Sequence, residues 1–192
     1  MKKLRFISMI CLLALFVASL AGCKKEDVNN NGNNNGNGGS GGGGSAQTGY
    51  VDLGLPSGTK WKASNETKDN GDVYYTYDEA VSTFGDKLPT KEQCEELKNN
   101  CTWEFQSNDG CKYKVTGANG NYIVLPAAGR RYCGGDVNDV DYLGCYWSST
   151  PFNSEYAWYL VFDSLLFSDG SRYVGMLDGY RCYGFAVRLV QD

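Results

Sequence analysis

The chain has 192 residues, a formal net charge of −4 and no histidine. Without histidine the commonest general base, the usual partner of a Ser or Cys nucleophile and the commonest transition-metal ligand are all missing, so no Ser-His-Asp triad can be assembled. From Val28 onward 13 Lys and Arg face 20 Asp and Glu, an acidic balance with no basic cluster that speaks against nucleic acid and against direct adhesion to anionic lipid.

Residues 1–22 read as a targeting segment. Lys2, Lys3 and Arg5 precede the mainly apolar run Phe6 to Leu20, which falls short of the roughly 20 residues a spanning helix needs. The string Leu20-Ala21-Gly22-Cys23 resembles the lipobox of bacterial lipoproteins, which implies that Cys23 is acylated and becomes the mature N-terminus. Several acyl chains, at about 0.8 kcal/mol per buried methylene, would hold it to a membrane almost permanently. Lys24-Lys25-Glu26-Asp27 resembles the Lys-then-acidic signal that sends lipoproteins of Bacteroidetes-type bacteria to the outer face of the outer membrane. Residues 29–45 are only Asn, Gly and Ser. No apolar group offsets their ordering entropy, so residues 23–48 read as a lipidated start and a disordered tether.

Residues 49–192 are domain-sized and carry all 14 Tyr and all four Trp, enough to bury a core. "YVDLGLPSGTKWKA" from Tyr50 predicts two strands around a Pro-Ser-Gly turn. "YDEAVSTF", Tyr77 to Phe84, predicts a short amphipathic helix ended by Gly85. In "KLPTKEQCEELKNN", Pro89 stops any earlier helix, and Thr90 with Gln93 makes a capping box for a helix whose Cys94 and Leu97 share a core-facing side.

Beyond Cys101 the pattern turns to strands. "CKYKV" and "NYIVL" flank Asn119-Gly120, a strong hairpin signal. "CYWSST", "YAWYLVF" and "YGFAVRLV" are further strand candidates, with Gly/Asp/Asn-rich loops over 129–144 and 163–180. The layout is α+β: two short helices, then a mostly antiparallel sheet with long C-terminal loops. Six cysteines follow Cys23: Cys94, Cys101, Cys111, Cys133, Cys145 and Cys182. They allow 15 pairings, and none has the two-residue spacing of a zinc site. If Cys94 and Cys101 shared one helix they would lie about 10 Å apart along its axis, too far to bridge.

Taken in order, "VDLGLPSGTKW", "LPTKEQCEEL", "CTW", "YKVTGANGNYIVLPAAG", "YWSST" and "FAVRLV" resemble the Fibrobacter succinogenes major paralogous domain of Bacteroidetes surface lipoproteins. The helix start, the Trp-Ser-Ser strand and the C-terminal Phe-x-Val-Arg strand are similar also to formylglycine-generating enzymes and to the variable proteins of diversity-generating retroelements. The resemblance implies a C-type-lectin-like fold. The family usually has Trp where Cys94 stands, and often Ala-Thr-Cys where Lys62-Ala63-Ser64 stands, departures that leave any inherited disulfide scheme open. Formylglycine-generating enzymes hold copper between two late cysteines. Here Leu177 stands where the partner of Cys182 is expected, and Cys182 reads as a small buried strand thiol.

Asp136, Asn138, Asp139 and Asp141 share one short loop, but it lacks the EF-hand order and the Glu-Pro-Asn and Trp-Asn-Asp signatures of sugar-binding lectins. A solvated turn-rich loop is the reading, with no metal or other cofactor. Ser148 and Ser149 read as strand residues with local hydrogen bonds, and Trp61, Trp103, Trp147 and Trp158 as core. The late loops present Tyr132, Tyr142, Phe152, Tyr156 and Tyr173 among short polar residues, including Asp136, Asn138, Asp139, Asn153 and Asp169. Rigid aromatics with adaptable polar neighbours are what binding surfaces use, and aromatic faces also stack on sugar rings. Tyr156 and Tyr180 read equally as strand packing. The expectation is an outer-membrane lipoprotein whose head binds a glycan or protein ligand without catalysis. The alternatives are a subunit of a surface assembly such as a fimbria, a retroelement-diversified binder, or a diverged formylglycine-type oxidase.

Overall fold

A computed structural model describes residues 49–192. The targeting segment, Cys23 and the Asn/Gly/Ser stretch lie outside the described residues.

Strands β1 (Tyr50–Asp52) and β2 (Lys60–Lys62) pair in register Val51↔Trp61. The Pro-Ser-Gly turn between them is closed by Gly58 N–H donating to Leu55 O at 2.9 Å. Helix α1 (Tyr77–Phe84) ends at Gly85 as expected, and its Thr76/Glu79 capping box is one the sequence reading passed over. Helix α2 (Lys91–Asn100) starts on the predicted Thr90/Gln93 box and buries Cys94 and Leu97.

Strand β3 (Thr102–Gln106) runs into the predicted hairpin of β4 (Lys112–Thr116) and β5 (Tyr122–Pro126), forming the sheet β3-β4-β5. The hairpin turn docks on β1. Asn119 and Asn121 each donate from Nδ2 to Asp52 O at 2.9 Å, and a Cβ on Gly117 would lie 1.9 Å from Leu53 O. Only glycine fits so close to another backbone.

The expected loop over 129–144 contains a two-residue hairpin, β6 (Arg130–Arg131) with β7 (Val137–Asn138). Strand β8 (Leu143–Pro151) pairs with β9 (Tyr156–Asp163), which pairs with β10 (Val174–Tyr180). The C-terminal part of the expected 163–180 loop, Val174–Tyr180, is therefore strand. Gly175 and Gly179 weaken its propensity, but added Cβ atoms there would meet the rings of Tyr173 and Tyr159 at 2.7 and 3.0 Å, so packing outweighs propensity.

The expected strand over Tyr183 to Val190 is also corrected. Only β11 (Val190–Gln191) forms a ladder, against β2. Upstream, Gly184, Phe185 and Ala186 make isolated bridges to Arg131, Tyr75 and Tyr146, because the segment passes between three separate partners. It is nevertheless a buried hub, and Phe185, Ala186 and Val187 have no exposed surface.

Two apolar clusters lie on opposite faces of β8 and β9. Tyr146, Leu160 and Phe162 join Trp61, Leu97, Val115, Ile123 and Leu125. Cys145, Trp147, Ala157, Tyr159 and Val161 join Tyr77, Ala80, Leu88, Phe185 and Val187. Trp61 and Trp147 are core as expected, and Trp103 packs partly buried against the first cluster. Trp158 belongs to neither cluster: it is half-buried, with Lys91 Nζ 4.3 Å from its ring centre and Phe152 edge-on at 5.3 Å.

Candidate functional site: an exposed tyrosine ladder

The seven-pair β9–β10 register sets Tyr180 directly opposite Tyr156. Their ring centres are 4.4 Å apart at 34°, a close tilted stack. Tyr180 meets Tyr183 edge-on at 5.5 Å, and Tyr183 meets Tyr132 edge-on at 5.4 Å. Four rings from three stretches of sequence thus form one continuous ladder. Tyr180 is 45% exposed, while Tyr183, between Tyr180 and Tyr132, is seated against Phe185 at 5.9 Å. The Arg130 guanidinium lies 4.9 Å from the outer ring, Tyr132.

The Cys133–Cys182 disulfide fixes this arrangement. Its half-cystines directly follow Tyr132 and directly precede Tyr183, so it staples the β6–β7 hairpin to the C-terminal segment at the ladder. Cys182 is therefore an exposed half-cystine, and the expectation of a buried strand thiol is corrected. Cys94, Cys101 and Cys145 remain thiols.

A hydrogen bond with Tyr180, followed by desolvation and the nearby Glu155 and Asp178 carboxylates, pushes the Tyr156 phenol up to about 12. A phenol hydroxyl can both donate and accept, as a sugar hydroxyl does. Trp158, two residues along β9 from Tyr156, stands on the same strand face and extends the aromatic band toward Phe152, which is 51% exposed.

The ten expected binding residues do not form one surface. Tyr132 and Tyr156 belong to the ladder. Phe152 lies beside Trp158, while Asn153 Oδ1 accepts from the N–H groups of Glu155 and Tyr156 at 2.8 and 2.9 Å, holding the β8–β9 turn. Asp136 and Asn138 are exposed on the β6–β7 hairpin. Asp139 is occupied otherwise: its Oδ2 accepts from Arg130 Nε at 2.8 Å. Asp141 Oδ1 accepts from Cys111 N–H at 3.1 Å. Among the described residues no three carboxylates or thiols converge on a point.

Tyr142 is 45% exposed. Asp169 lies in a turn, its Oδ1 accepting from Ser171 N–H and Oγ at 2.9 and 2.6 Å. Tyr173 covers Gly175, where a Cβ would meet its hydroxyl at 2.4 Å. Ser148 Oγ accepts from Thr150 N–H at 3.3 Å, the expected local bond, and also donates across to Trp158 O on β9 at 2.8 Å.

Sequence reasoning missed Tyr183 and Trp158 and left Tyr180 open. The signal for Tyr180 was its pairing register with Tyr156, which no composition argument contains. Comparison with protein families, with curated proteins and with solved structures finds no match.

Proposed function

We propose that the chain is a lipoprotein held through Cys23 at the outer membrane, displaying a C-type-lectin-like head that binds a glycan non-catalytically through the tyrosine ladder. The observation that carries this reading is the ladder itself. Four rings, Tyr180 exposed and the other three half-buried, are held by a disulfide and by strand pairing, so little side-chain entropy remains to be lost on binding. Flat rings with hydroxyls that donate and accept suit a sugar, whose C–H faces pack on aromatics while its hydroxyls exchange hydrogen bonds. The α+β architecture is compatible with the lectin-like fold that the sequence resemblance implies.

The test is a broad glycan array probed with the full-length protein in detergent, with calcium and again with chelator. Selective binding that survives chelator and falls at least about tenfold in Tyr180→Ala supports the reading, since truncating a hot-spot aromatic removes about 2 kcal/mol or more. A blank array, or binding indifferent to Tyr180, overturns it.

A second reading, a head that docks protein in a surface assembly, is favoured by Leu165, Leu166 and Phe167. These are 59%, 59% and 53% exposed in consecutive positions, an apolar tip of the kind that marks protein contacts. Stoichiometric co-purification with envelope proteins, lost on replacing these three residues by Ser, would favour it.

A further inference from the structure

At the opposite end of the β9–β10 hairpin lies a second feature, independent of the ladder. Strand β3 is the outer strand of one sheet and β10 the outer strand of another. Between them, a cleft of about 240 Å³ is lined by Trp103 and Phe105 of β3, Tyr113 of β4, Val174 of β10, and Gly170 and Arg172 of the connecting loop. Tyr113 meets both β3 rings edge-on, at 5.7 Å from Trp103 and 5.6 Å from Phe105. The three rings therefore make an aromatic wall of fixed shape.

Arg172 is held in two ways. Its guanidinium lies 3.9 Å from the Phe105 ring centre, and its Nε donates to Ser164 O at 2.8 Å. Stacking sets the plane of the group, and the Nε bond sets its rotation. The ion pairs of the described residues engage Arg130, Arg131 and Arg181, but not Arg172. Asp163, the acid at the base of the same loop, turns its Oδ1 to Leu165 N–H at 2.7 Å. The two Nη groups of Arg172 are thus left as an oriented fork, the geometry that receives a carboxylate through two parallel hydrogen bonds.

The other polar groups at the cleft are already committed or shut away. The Tyr113 hydroxyl donates to Asp163 O at 3.3 Å. The Trp103 indole N–H is buried from solvent, without an acceptor. A polyhydroxylated ring would leave its hydroxyls unpaired here, each at a desolvation cost. An apolar ring would not. The volume is below the roughly 300–1,000 Å³ of drug-sized sites, so it suits a single ring with a short acidic arm.

We infer that this cleft binds a carboxylate carried on a flat apolar ring, with Arg172 receiving the carboxylate and Trp103, Tyr113 and Val174 packing the ring. Two sources share that chemistry: a free aryl acid, and the C-terminal aromatic residue of a peptide.

The test uses full-length protein in detergent and fluorine NMR of 4-fluorophenylacetate, with 4-fluorophenylacetamide as its uncharged counterpart. The acid is expected to bind at least about tenfold more tightly than the amide, the least a charge-assisted pair contributes. Arg172→Gln removes that difference in a protein that still unfolds cooperatively in urea, and Arg172→Lys restores part of it through charge without the fork. Competition by N-acetylphenylalanine then separates the sources: tighter binding than the free acid points to a peptide terminus, weaker binding to a free acid. Equal affinity for acid and amide, an Arg172→Gln variant that binds as well as the parent, or no acid binding up to about 10 mM overturns the inference.

Discussion

Arg188 is the most telling residue to perturb. It is 1% exposed, yet it carries a charge into the first apolar cluster. Its Nε donates to Asn65 Oδ1 at 2.8 Å, Nη1 to Lys62 O at 2.9 Å and Nη2 to Val124 O at 2.7 Å. Asn65 in turn donates to the Tyr146 hydroxyl at 3.3 Å, and that hydroxyl donates to Pro126 O at 2.7 Å. One guanidinium thus ties the C-terminal segment to β2, to β5 and to the loop after β2. Burial pulls its pKa down, but an arginine remains charged.

Arg188→Met keeps the apolar stem and deletes the fork. Three acceptors then lose their donor, at about 1–3 kcal/mol each. Relief of the buried charge offsets several kcal/mol of that, leaving a net loss of about 3 kcal/mol. With a urea slope near 2 kcal/mol/M, the midpoint should fall by roughly 1.5 M at unchanged slope. Arg188→Lys is the sharper variant. An ammonium keeps the charge but cannot reach all three acceptors at once, so Lys should be no more stable than Met. A midpoint change below about 0.5 M in the Met variant, or a Lys variant clearly more stable than Met, would refute the reasoning.

The Cys133–Cys182 bridge spans 49 residues, so loop-closure entropy predicts a loss of about 4 kcal/mol on replacing both by Ser; an unchanged urea midpoint would sink that assignment. Gly117→Ala must displace the Leu53 carbonyl, 1.9 Å from the new Cβ, and should cost about 1–3 kcal/mol or more; a neutral result would mean the β4–β5 turn does not sit on β1. Burial raises the Cys94 thiol, pushes Cys145 up to about 12, and pushes the Tyr146 phenol likewise up to about 12. Because these folded-state values lie above the unfolded ones, the stability they contribute is complete below about pH 8.5 and is lost as pH rises toward 12, at up to about 1.4 kcal/mol per unit for each buried thiol. Urea midpoints measured from pH 8.5 to 10.5 should fall steadily, and a flat profile would contradict the burial.

How much of this was legible follows from the range of the forces involved. Both helices were, since Thr90 with Gln93 and the Gly85 stop act within one turn. So was the Asn119-Gly120 hairpin, which needs only a local turn and two flanking strands. The C-terminal segment was misread because Phe185, Ala186 and Val187 have strand-like side chains, whereas a ladder also requires one continuous partner, and these residues meet three. Strand β10 was missed for the opposite reason: Gly175 and Gly179 look like loop residues until the rings packed over them are known. The disulfide needed the tertiary fold to bring its half-cystines to a Cα separation of 5.1 Å. The candidate site behaves in the same way. Tyr132 and Tyr156 were visible as exposed-loop aromatics, but their connection through Tyr180 and Tyr183 exists only once pairing register and bridge are fixed.

The same register separates the two candidate binding features. It runs from Val174↔Phe162 to Tyr180↔Tyr156, six steps along the strand and therefore about 20 Å. Arg172 stands just before the first pair and Tyr180 in the last, with no side-chain partner in common. Sites farther apart than about 7–10 Å without shared partners act additively. Arg172→Gln should therefore leave glycan binding unchanged, and Tyr180→Ala should leave binding of 4-fluorophenylacetate unchanged. The double variant's loss in urea unfolding should equal the sum of the single losses within about 0.5 kcal/mol. A larger coupling would show that the β9–β10 hairpin moves as one lever between cleft and ladder, with occupancy of one end altering the other. Additivity would instead show a rigid head carrying two separate receptors, one for each end of a single hairpin.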